Sequence, residues 1–424
     1  MPGCRYESRR RFRTRAASFS DRTSMRYKRN ISYCRRCVNP SVSVNLAFNN
    51  EGVCSACVLQ DQMDALTKDF WAARRLKWQA LVEEAKGKSR SGYDCIVPVS
   101  GGKDSYFQVH TALQYKLKPL LVTYHGNNYL PEGQRNLDRM REVFGVDHMV
   151  FGPGVDVLKK LNRSCFEIMG DMNWHCHAGI KIFPMQVAVR MRVPLVIWGE
   201  ITWSIAGMFD LDDYVQYNKR TVFEHDLRGF TVDAIVERTP GLSARDLAWL
   251  RMPSDQEFAD SGTIGIYIGN FVPWDPNRHT ARMKELYGFE IARQPFERTY
   301  RRMSNLDDMH ENGVHDYMKF IKFGYGRATD HAGKDIRSGD MSREEGIEMV
   351  RKYDHVKPMR DLRRWLDYMG MTEQEFDRIA DSFRDPRIWW IEGGQWWKQN
   401  IWGEPSPYGP VHLGNESQIR SYMR

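Results

Sequence analysis

Short apolar runs alternate with helix-like segments over the middle of the chain, from residue 93 to residue 198. The apolar runs predict β-strands at residues 95–99, 120–124, 148–151 and 195–198. The segments between them predict helices at residues 106–115, 134–144, 155–166 and 182–191. Strands that alternate with helices are typical of a parallel sheet with helices on both faces. We therefore predict an α/β fold with a doubly wound parallel sheet, in which ligands bind at the carboxyl ends of the strands.

The two flanks of this segment have helical patterns instead. Residues 61–86 are rich in charged side chains, and the apolar residues Phe70, Trp78 and Leu81 lie at helical spacing among them. Beyond residue 205 we predict an α-rich region with helices at residues 243–251, 278–286, 314–323, 343–353, 358–370 and 372–384. Five tryptophans between residues 389 and 402 indicate packing, the rim of a pocket or a subunit contact.

A glycine-rich turn, Ser-Gly-Gly-Lys-Asp-Ser at residues 100–105, lies between the first predicted strand and the first predicted helix. A helix N-terminus leaves backbone N–H groups unpaired, and glycine lets the backbone approach a phosphate closely. The turn lacks the spacing of a P-loop and resembles the pyrophosphate loop of the ATP pyrophosphatases. We expect this loop to bind the pyrophosphate of ATP through Ser100, Gly101, Gly102 and Ser105, with Lys103 as a further contact.

Four of the eight cysteines form two Cys-x2-Cys pairs, Cys34/Cys37 and Cys54/Cys57. The separation of the pairs matches a zinc ribbon, in which four thiolates surround one tetrahedral Zn2+. An iron–sulfur cluster needs the same number of ligands, but two separated pairs favour zinc. A disulfide reading is weak for a cytoplasmic chain. Because four thiolates leave no position for a reactive water, we predict a structural zinc.

The net charge of +8 is concentrated in the first 30 residues, which contain ten Lys/Arg and two Asp/Glu. The other 394 residues carry 52 basic and 52 acidic side chains, so nucleic acid is not an expected partner. No apolar stretch is long enough to span a membrane, and we expect a cytoplasmic protein, with Met25 as a candidate natural start.

These patterns divide the chain into five parts. We predict a basic extension (1–30), a zinc ribbon (31–60), a linker helix (61–90), an ATP-binding domain (91–205) and an α-rich C-terminal region for the substrate or a partner (206–424).

Six separated blocks of the sequence resemble the N-acetyl sugar amidotransferases of bacterial surface-glycan biosynthesis, including that of lipopolysaccharide O-antigen. The blocks occur in the order of that family, between about residues 31 and 385, at residues 33–40, 52–57, 94–105, 176–180, 198–200 and 322–331. The resemblance implies a PP-loop ATP pyrophosphatase fold, of the adenine nucleotide alpha hydrolase-like type. It also implies that a sugar acetamido group becomes an acetamidino group, with ammonia from a separate glutaminase subunit of the class I glutamine amidotransferase type.

The chemistry of that reaction agrees with a pyrophosphate loop. An amide carbonyl is a poor electrophile, so its oxygen must first become a leaving group. Attack of this oxygen on the α-phosphate of ATP gives an imidoyl adenylate and pyrophosphate, and ammonia then displaces AMP. Mg2+ is expected to spread the phosphate charge, which makes ATP, Mg2+ and structural Zn2+ the expected cofactors.

Several polar residues at predicted strand ends have more than one interpretation. Asp104 either approaches Mg2+ or caps the helix that begins beside it. Glu200 follows the fourth predicted strand, where a carboxylate would bind metal or a sugar hydroxyl, or cap a helix. Thr123 ends the second predicted strand and is a candidate contact for ATP.

Two further clusters contain candidate catalytic residues. Cys176 and His177 lie in a segment that we expect to line the nucleotide or sugar pocket, with His177 as the better candidate. Cys176 is either inert packing or a sulfur carrier. In the second cluster, Arg327 is a candidate for binding a sugar phosphate, and Asp330 or His331 for deprotonating the incoming amine.

Two other functions remain open from the sequence. A tRNA-thiolating enzyme of the same ATP-using superfamily would share the zinc ribbon, the loop and a reactive cysteine, but it should have a basic body. A zinc-ribbon binding module without activity would leave the loop unexplained. The chain shows no glutaminase signature, so ammonia must come from a partner or from solution.

Overall fold

A computed structural model of the chain describes residues 31–127, 129–199, 216–303 and 310–420. Its centre is a five-stranded, fully parallel sheet with the order β3-β2-β1-β4-β5. The strands are β1 (Cys95–Pro98), β2 (Pro119–Tyr124), β3 (His148–Phe151), β4 (Leu195–Trp198) and β5 (Ile264–Tyr267). The strand order reverses between β1 and β4, which makes the sheet doubly wound and creates a crevice at their carboxyl ends.

Helices cover both faces of the sheet. Four of them connect the strands from β1 to β4. They are α3 (Lys103–Gln114), α4 (Pro131–Phe144), α5 (Val155–Met169) and α6 (Trp174–Met191). Side chains alternate between the faces, so that Ile96 belongs to one core with α5 and α6, and Cys95 and Val97 to another with α3 and α4. The predicted doubly wound α/β class is confirmed.

The N-terminal part of the described chain is a compact cysteine-rich segment followed by two helices, α1 (Ser55–Asp64) and α2 (Lys68–Lys88). The sequence predicts one helix over residues 61–86. The structure has two helices instead, because Thr67 caps the start of a new one. Its hydroxyl accepts a hydrogen bond from the Phe70 N–H at 3.2 Å. Trp78 and Val82 of α2 pack in the same core as Cys95 and Val97.

The region after residue 216 is largely helical, as predicted. Its main helices are α7 (Val232–Arg238), α8 (Asp255–Ser261), α9 (Pro276–Tyr287), α10 (His310–Phe323), α11 (Arg327–Arg337), α12 (Arg343–Tyr353), α13 (Met359–Met369) and α14 (Glu373–Asp381). Short helical turns occur at Lys219–Thr221, Val222–Asp226, Ala248–Leu250, Ile268–Asn270 and Glu416–Gln418. Near the C-terminus, β6 (Trp390–Glu392), β7 (Gln395–Gln399) and β8 (Pro405–Pro410) form a small antiparallel sheet.

Two features of this region differ from the sequence-based expectation. Strand β5 belongs to the main sheet although it lies beyond residue 205. A glycine such as Gly265 usually weakens a strand. Here it is required, because a Cβ would lie 2.6 Å from Tyr217 and 2.7 Å from Trp198. The helix predicted at residues 243–251 is wrong, because Ser243 donates both its N–H and its hydroxyl to Asp246 and holds a turn instead.

The helical region packs directly on the sheet domain. Phe166 of α5 stacks on Phe376 of α14 at 5.1 Å between ring centroids, and Trp365 of α13 completes this buried cluster. In the C-terminal sheet, Trp389 and Trp396 are buried, and the Arg384 guanidinium lies over both rings. Two of the five tryptophans of the tail therefore serve packing, whereas Trp402 is exposed. No helix in the described parts of the chain has the length and apolarity needed to cross a membrane.

The buried imidazole of His175 links α6 to β2 and α5. Its Nε2 accepts a hydrogen bond from the Asn162 amide at 3.0 Å, so its Nδ1–H donates to the Tyr124 hydroxyl at 2.9 Å. The Asn162 carbonyl oxygen in turn accepts the Trp365 indole N–H, which fixes this orientation. Burial lowers the pKa of His175 to about 4, and the ring is neutral at pH 7.

We predict that acid destabilises the fold through His175. Between pH 6.5 and about 4 the unfolded chain binds a proton at this position and the folded chain does not, so stability falls as the pH falls. At pH 5 the loss from this group is about 2 kcal/mol. Urea unfolding at pH 7 and pH 5 should show a smaller acid loss in a His175→Gln variant than in the wild type. An identical loss in both proteins would contradict the prediction.

Candidate functional site

The glycine-rich loop lies where the sequence predicts, at the carboxyl end of β1 and at the start of α3. The Ser100 N–H donates to the Ser105 hydroxyl at 3.0 Å, and the two hydroxyl oxygens are 3.4 Å apart. This contact closes the loop over the first turn of α3, whose N-cap is Gly102. The unpaired N–H groups of that turn are therefore directed at the crevice between β1 and β4, where an anion can bind.

The two glycines of the loop differ in backbone conformation and in what surrounds them. Gly101 has φ +82°, and a Cβ there would lie 2.9 Å from the backbone N of Leu137 and 3.0 Å from the carbonyl oxygen of Gly133 on α4. Gly102 has an ordinary extended conformation, and a Cβ would meet only the Ser100 hydroxyl at 3.5 Å. Gly101 thus lets the loop pack on α4, whereas Gly102 leaves open the space above the helix N-terminus.

Two charged residues of the loop are paired with each other. The Lys103 ammonium lies 2.7 Å from Oδ2 of Asp104. The other carboxylate oxygen, Oδ1, is buried and has no hydrogen-bond partner among the described residues. A carboxylate oxygen of this kind is a suitable ligand for Mg2+, and no capping hydrogen bond from it to α3 is present in the described chain.

Two further predicted residues of this edge have different outcomes. The Thr123 hydroxyl donates to the carbonyl oxygen of Val99 at 2.6 Å and lies 2.8 Å from Nε2 of His148. It therefore ties the carboxyl ends of β1 and β2 to the first residue of β3, and a direct contact with ATP stays a prediction. Glu200 lies outside the described residues.

The sequence interpretation missed a lysine at the same edge. Lys181 of α6 reaches the ends of β4 and β5, where its ammonium lies 3.3 Å from the Tyr267 hydroxyl. The ammonium also lies over the aromatic rings of Trp198 and Tyr267. Aromatic faces stabilise a cation without neutralising it, so Lys181 keeps its positive charge beside the crevice. Its position directly after the 176–180 block was the available signal.

The Cys176–His177 segment forms the first turn of α6 rather than a loop. The Nε2 atom of His177 is buried without a hydrogen-bond partner among the described residues, and its ring lies 5.5 Å from that of His315. Burial, reinforced by Arg228, lowers the pKa of His177 to about 3. His177 is therefore neutral at pH 7 and a weak general base. Cys176 packs against Gly126 in the segment that follows β2.

Arg327 and Asp330 belong to a buried chain of ion pairs on α10 and α11. The Arg327 guanidinium donates to Asp316 at 2.5 and 2.8 Å, and lies 3.3 Å from Asp330. Asp330 also accepts from Lys319, and Asp316 from Arg298. Arg327 is thus committed to two carboxylates. This arrangement positions α11 against α10 and leaves the guanidinium less available to a substrate than the sequence suggests.

His331 is buried beside this chain, with Nδ1 2.7 Å from the Thr299 hydroxyl. Burial, together with Arg301 and Arg327, holds the pKa of His331 well below its usual range. The helix α9 joins α11 to the helix that begins at the glycine-rich loop. Its His279 stacks on Phe107 of α3 at 3.5 Å between ring centroids, and its Asn277 amide donates to Asp335 of α11 at 3.4 Å.

The four cysteines of the N-terminal segment converge as predicted. All four are buried, and their sulfur atoms all lie within 4.8 Å of one another. The Cys34–Cys57 and Cys37–Cys54 sulfur separations are 3.9 and 3.6 Å. A tetrahedral Zn2+ with bonds of about 2.3 Å requires separations of about 3.8 Å, so the residues fit this ion. The Arg343 guanidinium of α12 donates to the carbonyl oxygens of Cys34 and Cys37, which docks the cysteine module on the helical region.

Residues 297–401 match the family described as "LPS biosynthesis protein WbpG-like, C-terminal domain". This matched part of the chain is called the WbpG-like domain below, after the family that it resembles. It contains α10 to α14 and the strands β6 and β7, and with them Arg327, Asp330 and His331. Through α11 the WbpG-like domain is connected, by way of α9, to the helix that begins at the glycine-rich loop.

Two solved structures are similar to parts of the chain. An NMN synthetase from Francisella tularensis has 11% identity and a TM-score of 0.27, and the match covers 53% of this chain and 98% of that one. A predicted subunit of tRNA methyltransferase from Methanocaldococcus jannaschii has 14% identity and a TM-score of 0.20, with 43% and 93% covered. No protein with a curated description matches the sequence.

The different surroundings of the two glycines predict different effects of alanine. Gly102→Ala should fold normally and weaken ATP binding at least tenfold, because its methyl group enters the open space above the helix N-terminus. Gly101→Ala should lower the melting temperature, because it is strained and collides with α4. Calorimetric titration with ATP and thermal unfolding separate the two effects. Full ATP affinity in Gly102→Ala would contradict the phosphate role of the loop.

The cysteine module should hold one zinc per chain. A Cys54→Ser variant should lose this zinc and melt at a lower temperature, because a ligand is removed and the module is docked on α12. Cys176→Ala is the matched control. It also removes one cysteine sulfur, but Cys176 lies on α6 and is not one of the four clustered cysteines, so this variant should retain full zinc. Metal analysis by mass spectrometry measures both. Zinc retained at wild-type stoichiometry in Cys54→Ser would refute the site.

Proposed function

We propose that this protein is an ATP-dependent amidotransferase that converts the acetamido group of a sugar into an acetamidino group. The pathway would be the biosynthesis of bacterial lipopolysaccharide O-antigen, and the reaction would take place in the cytoplasm. The observation that carries the proposal is the open glycine-rich loop at the switch point of the sheet, whose helix α3 is joined through α9 to α11 of the WbpG-like domain. Nucleic acid is not expected as a substrate, because residues 31–424 have no net charge.

In the first step the amide oxygen of the sugar attacks the α-phosphorus of ATP. The bond between the α- and β-phosphates breaks, pyrophosphate leaves and an imidoyl adenylate remains. The loop from Ser100 to Ser105 would hold the departing pyrophosphate through the N-terminal N–H groups of α3. Lys103 adds a positive charge there, and Oδ1 of Asp104 would bind the Mg2+ that accompanies ATP, which spreads the phosphate charge.

In the second step ammonia adds to the imidoyl carbon, the bond to AMP breaks and the proton of the adduct is released. His331 is the candidate acceptor for this proton from its place on α11. Its depressed pKa makes it, like His177, a weak base, so it would take up only the proton of the cationic adduct, which is more acidic than free ammonium. Asp330, bound to Lys319 and Arg327, would hold α11 in place. Ammonia would come from a separate glutaminase subunit, and a closed path would keep it from water.

The decisive test is the fate of ATP. Purified protein with ammonium chloride and UDP-N-acetylglucosamine or another acetamido sugar should form AMP and pyrophosphate in equal amounts. Ser105→Ala should reduce AMP formation about 100-fold, because it removes one donor and loosens the loop. Ser417→Ala changes an exposed serine of the C-terminal tail and should have no effect. Release of ADP and phosphate would refute the adenylate mechanism, as would full activity of Ser105→Ala.

A second candidate, sulfur transfer to a tRNA base, is favoured by one observation. Cys176 lies against Gly126 at the carboxyl edge of the sheet, within the region that would bind ATP. A sulfur carrier is indispensable for thiolation and dispensable for amidation. Cys176→Ala should therefore keep AMP formation with ammonia and an acetamido sugar. Its complete loss, together with sulfur incorporation into tRNA by the wild type, would favour the second candidate.

A further inference from the structure

A cavity of about 460 Å3 lies between the cysteine module and the WbpG-like domain. Its walls come from the module loop at residues 39–46, the segment around Arg228, the second half of α10 and one face of α11. His331 of α11 lines this cavity, and α11 is joined through Asn277 and His279 of α9 to α3, the helix that begins at the glycine-rich loop. The described lining of the cavity includes no residue of that loop.

The described lining of this cavity is strongly cationic. It includes one carboxylate, Asp330, and six lysine or arginine side chains: Arg228, Lys319, Lys322, Arg327, Lys334 and Arg337. Three of these six are neutralised by carboxylates, because Arg228 pairs with Asp171, Arg327 with Asp316, and Lys319 with Asp330. Positive charges at this density raise the local concentration of anions and favour an anionic ligand.

Two of the remaining cations have no salt-bridge partner in the described parts of the chain. The Lys322 ammonium is buried and donates only to the carbonyl oxygen of Met169 at 3.3 Å. One terminal nitrogen of Arg337, Nη1, is buried without any hydrogen-bond partner there. Burying an unpaired cation such as Lys322 is unfavourable, and the half-buried Arg337 adds a buried donor without a partner in the described chain. Together they indicate a ligand that supplies the missing negative charge.

We propose that this cavity binds a group with two or more closely spaced negative charges, of the kind that a diphosphate provides. The inference rests on the proposed function, since it makes the cavity the anchor of a phosphorylated acetamido sugar. Arg228 and Lys322 would contact the anion from one side and Arg337 from the other. The acetamido end would then extend toward His331 and the glycine-rich loop.

A metal ion is a competing ligand beside the cavity, next to its lining residue His315. Asp171, His177 and His315 each offer one ligand atom within 4.8 Å of the others. However, Nδ1 of His315 is already 2.8 Å from Asp171, and the Arg228 guanidinium lies 2.6 Å from the same carboxylate. A divalent cation would face Arg228 and Lys322 at short range. The charge balance therefore favours an anion.

The test is a binding measurement that needs no turnover. The glycine-rich loop is first filled with saturating α,β-methylene-ATP, and UDP-N-acetylglucosamine is then titrated into the full-length protein by calorimetry. Lys322→Met and Arg337→Gln should each weaken this binding at least tenfold, because each removes a charge-assisted contact. Lys77→Met, which removes an exposed charge on α2, should bind as the wild type does. Affinity for α,β-methylene-ATP should be unchanged in all three variants.

Two further probes identify the source of the charge. N-acetylglucosamine 1-phosphate that binds as tightly as UDP-N-acetylglucosamine would support a sugar phosphate, and weaker binding of the former would support a nucleotide-linked sugar. Equal affinity of all three variants for UDP-N-acetylglucosamine would overturn the proposal. So would complete competition by α,β-methylene-ATP, or a second bound metal that is lost in His315→Ala. Cavity-dependent binding without any AMP formation would refute the proposed function and leave the anion site standing.

Discussion

One buried carboxylate, Asp171, joins the sheet domain to the WbpG-like domain. It lies between α5 and α6 and accepts hydrogen bonds from the Asn173 N–H and from His315 of α10, while Arg228 pairs with its second oxygen. Burial alone would disfavour its charge, but Arg228 and His315 hold the pKa of Asp171 well below its usual range. The charge in turn fixes where Arg228 and α10 can lie. Both the position of Arg228 in the cavity wall and the position of α10 relative to the sheet depend on this interaction.

The sheet could be predicted because its strands are short, apolar and regularly separated by helices. The strand β5 could not be predicted, because Gly265 interrupts its apolar pattern. A glycine is needed there because Tyr217 and Trp198 pack directly against the backbone. The break between α1 and α2 depends on a single hydrogen bond to the Thr67 hydroxyl, which the spacing of apolar residues does not indicate. Local signals therefore identify the elements, and packing between distant segments decides where they end.

The candidate site shows the same division. The loop at residues 100–105 and the four cysteines are contiguous or regularly spaced motifs, so their chemistry is legible in the sequence. Arg327 has no such signal for its partner, because Asp316 lies on another helix and only the folded chain shows that it occupies the guanidinium. Lys322 and Arg337 are missed for the opposite reason. Their significance is the lack of a carboxylate partner in the described chain, which no sequence pattern expresses.

The loop and the cavity present different kinds of positive potential, and this difference suits two different phosphates. The loop offers backbone N–H groups and a lysine already paired with Asp104, so it can hold pyrophosphate without binding it irreversibly. The cavity offers the side-chain cations of Lys322 and Arg337, which would suit the anion proposed for it. His331 lines the cavity, and His177 lies beside His315, another lining residue. Both rings are neutral at pH 7. In the proposed reaction, neutral side chains there would let ammonia approach without converting it to ammonium, which has no lone pair for attack.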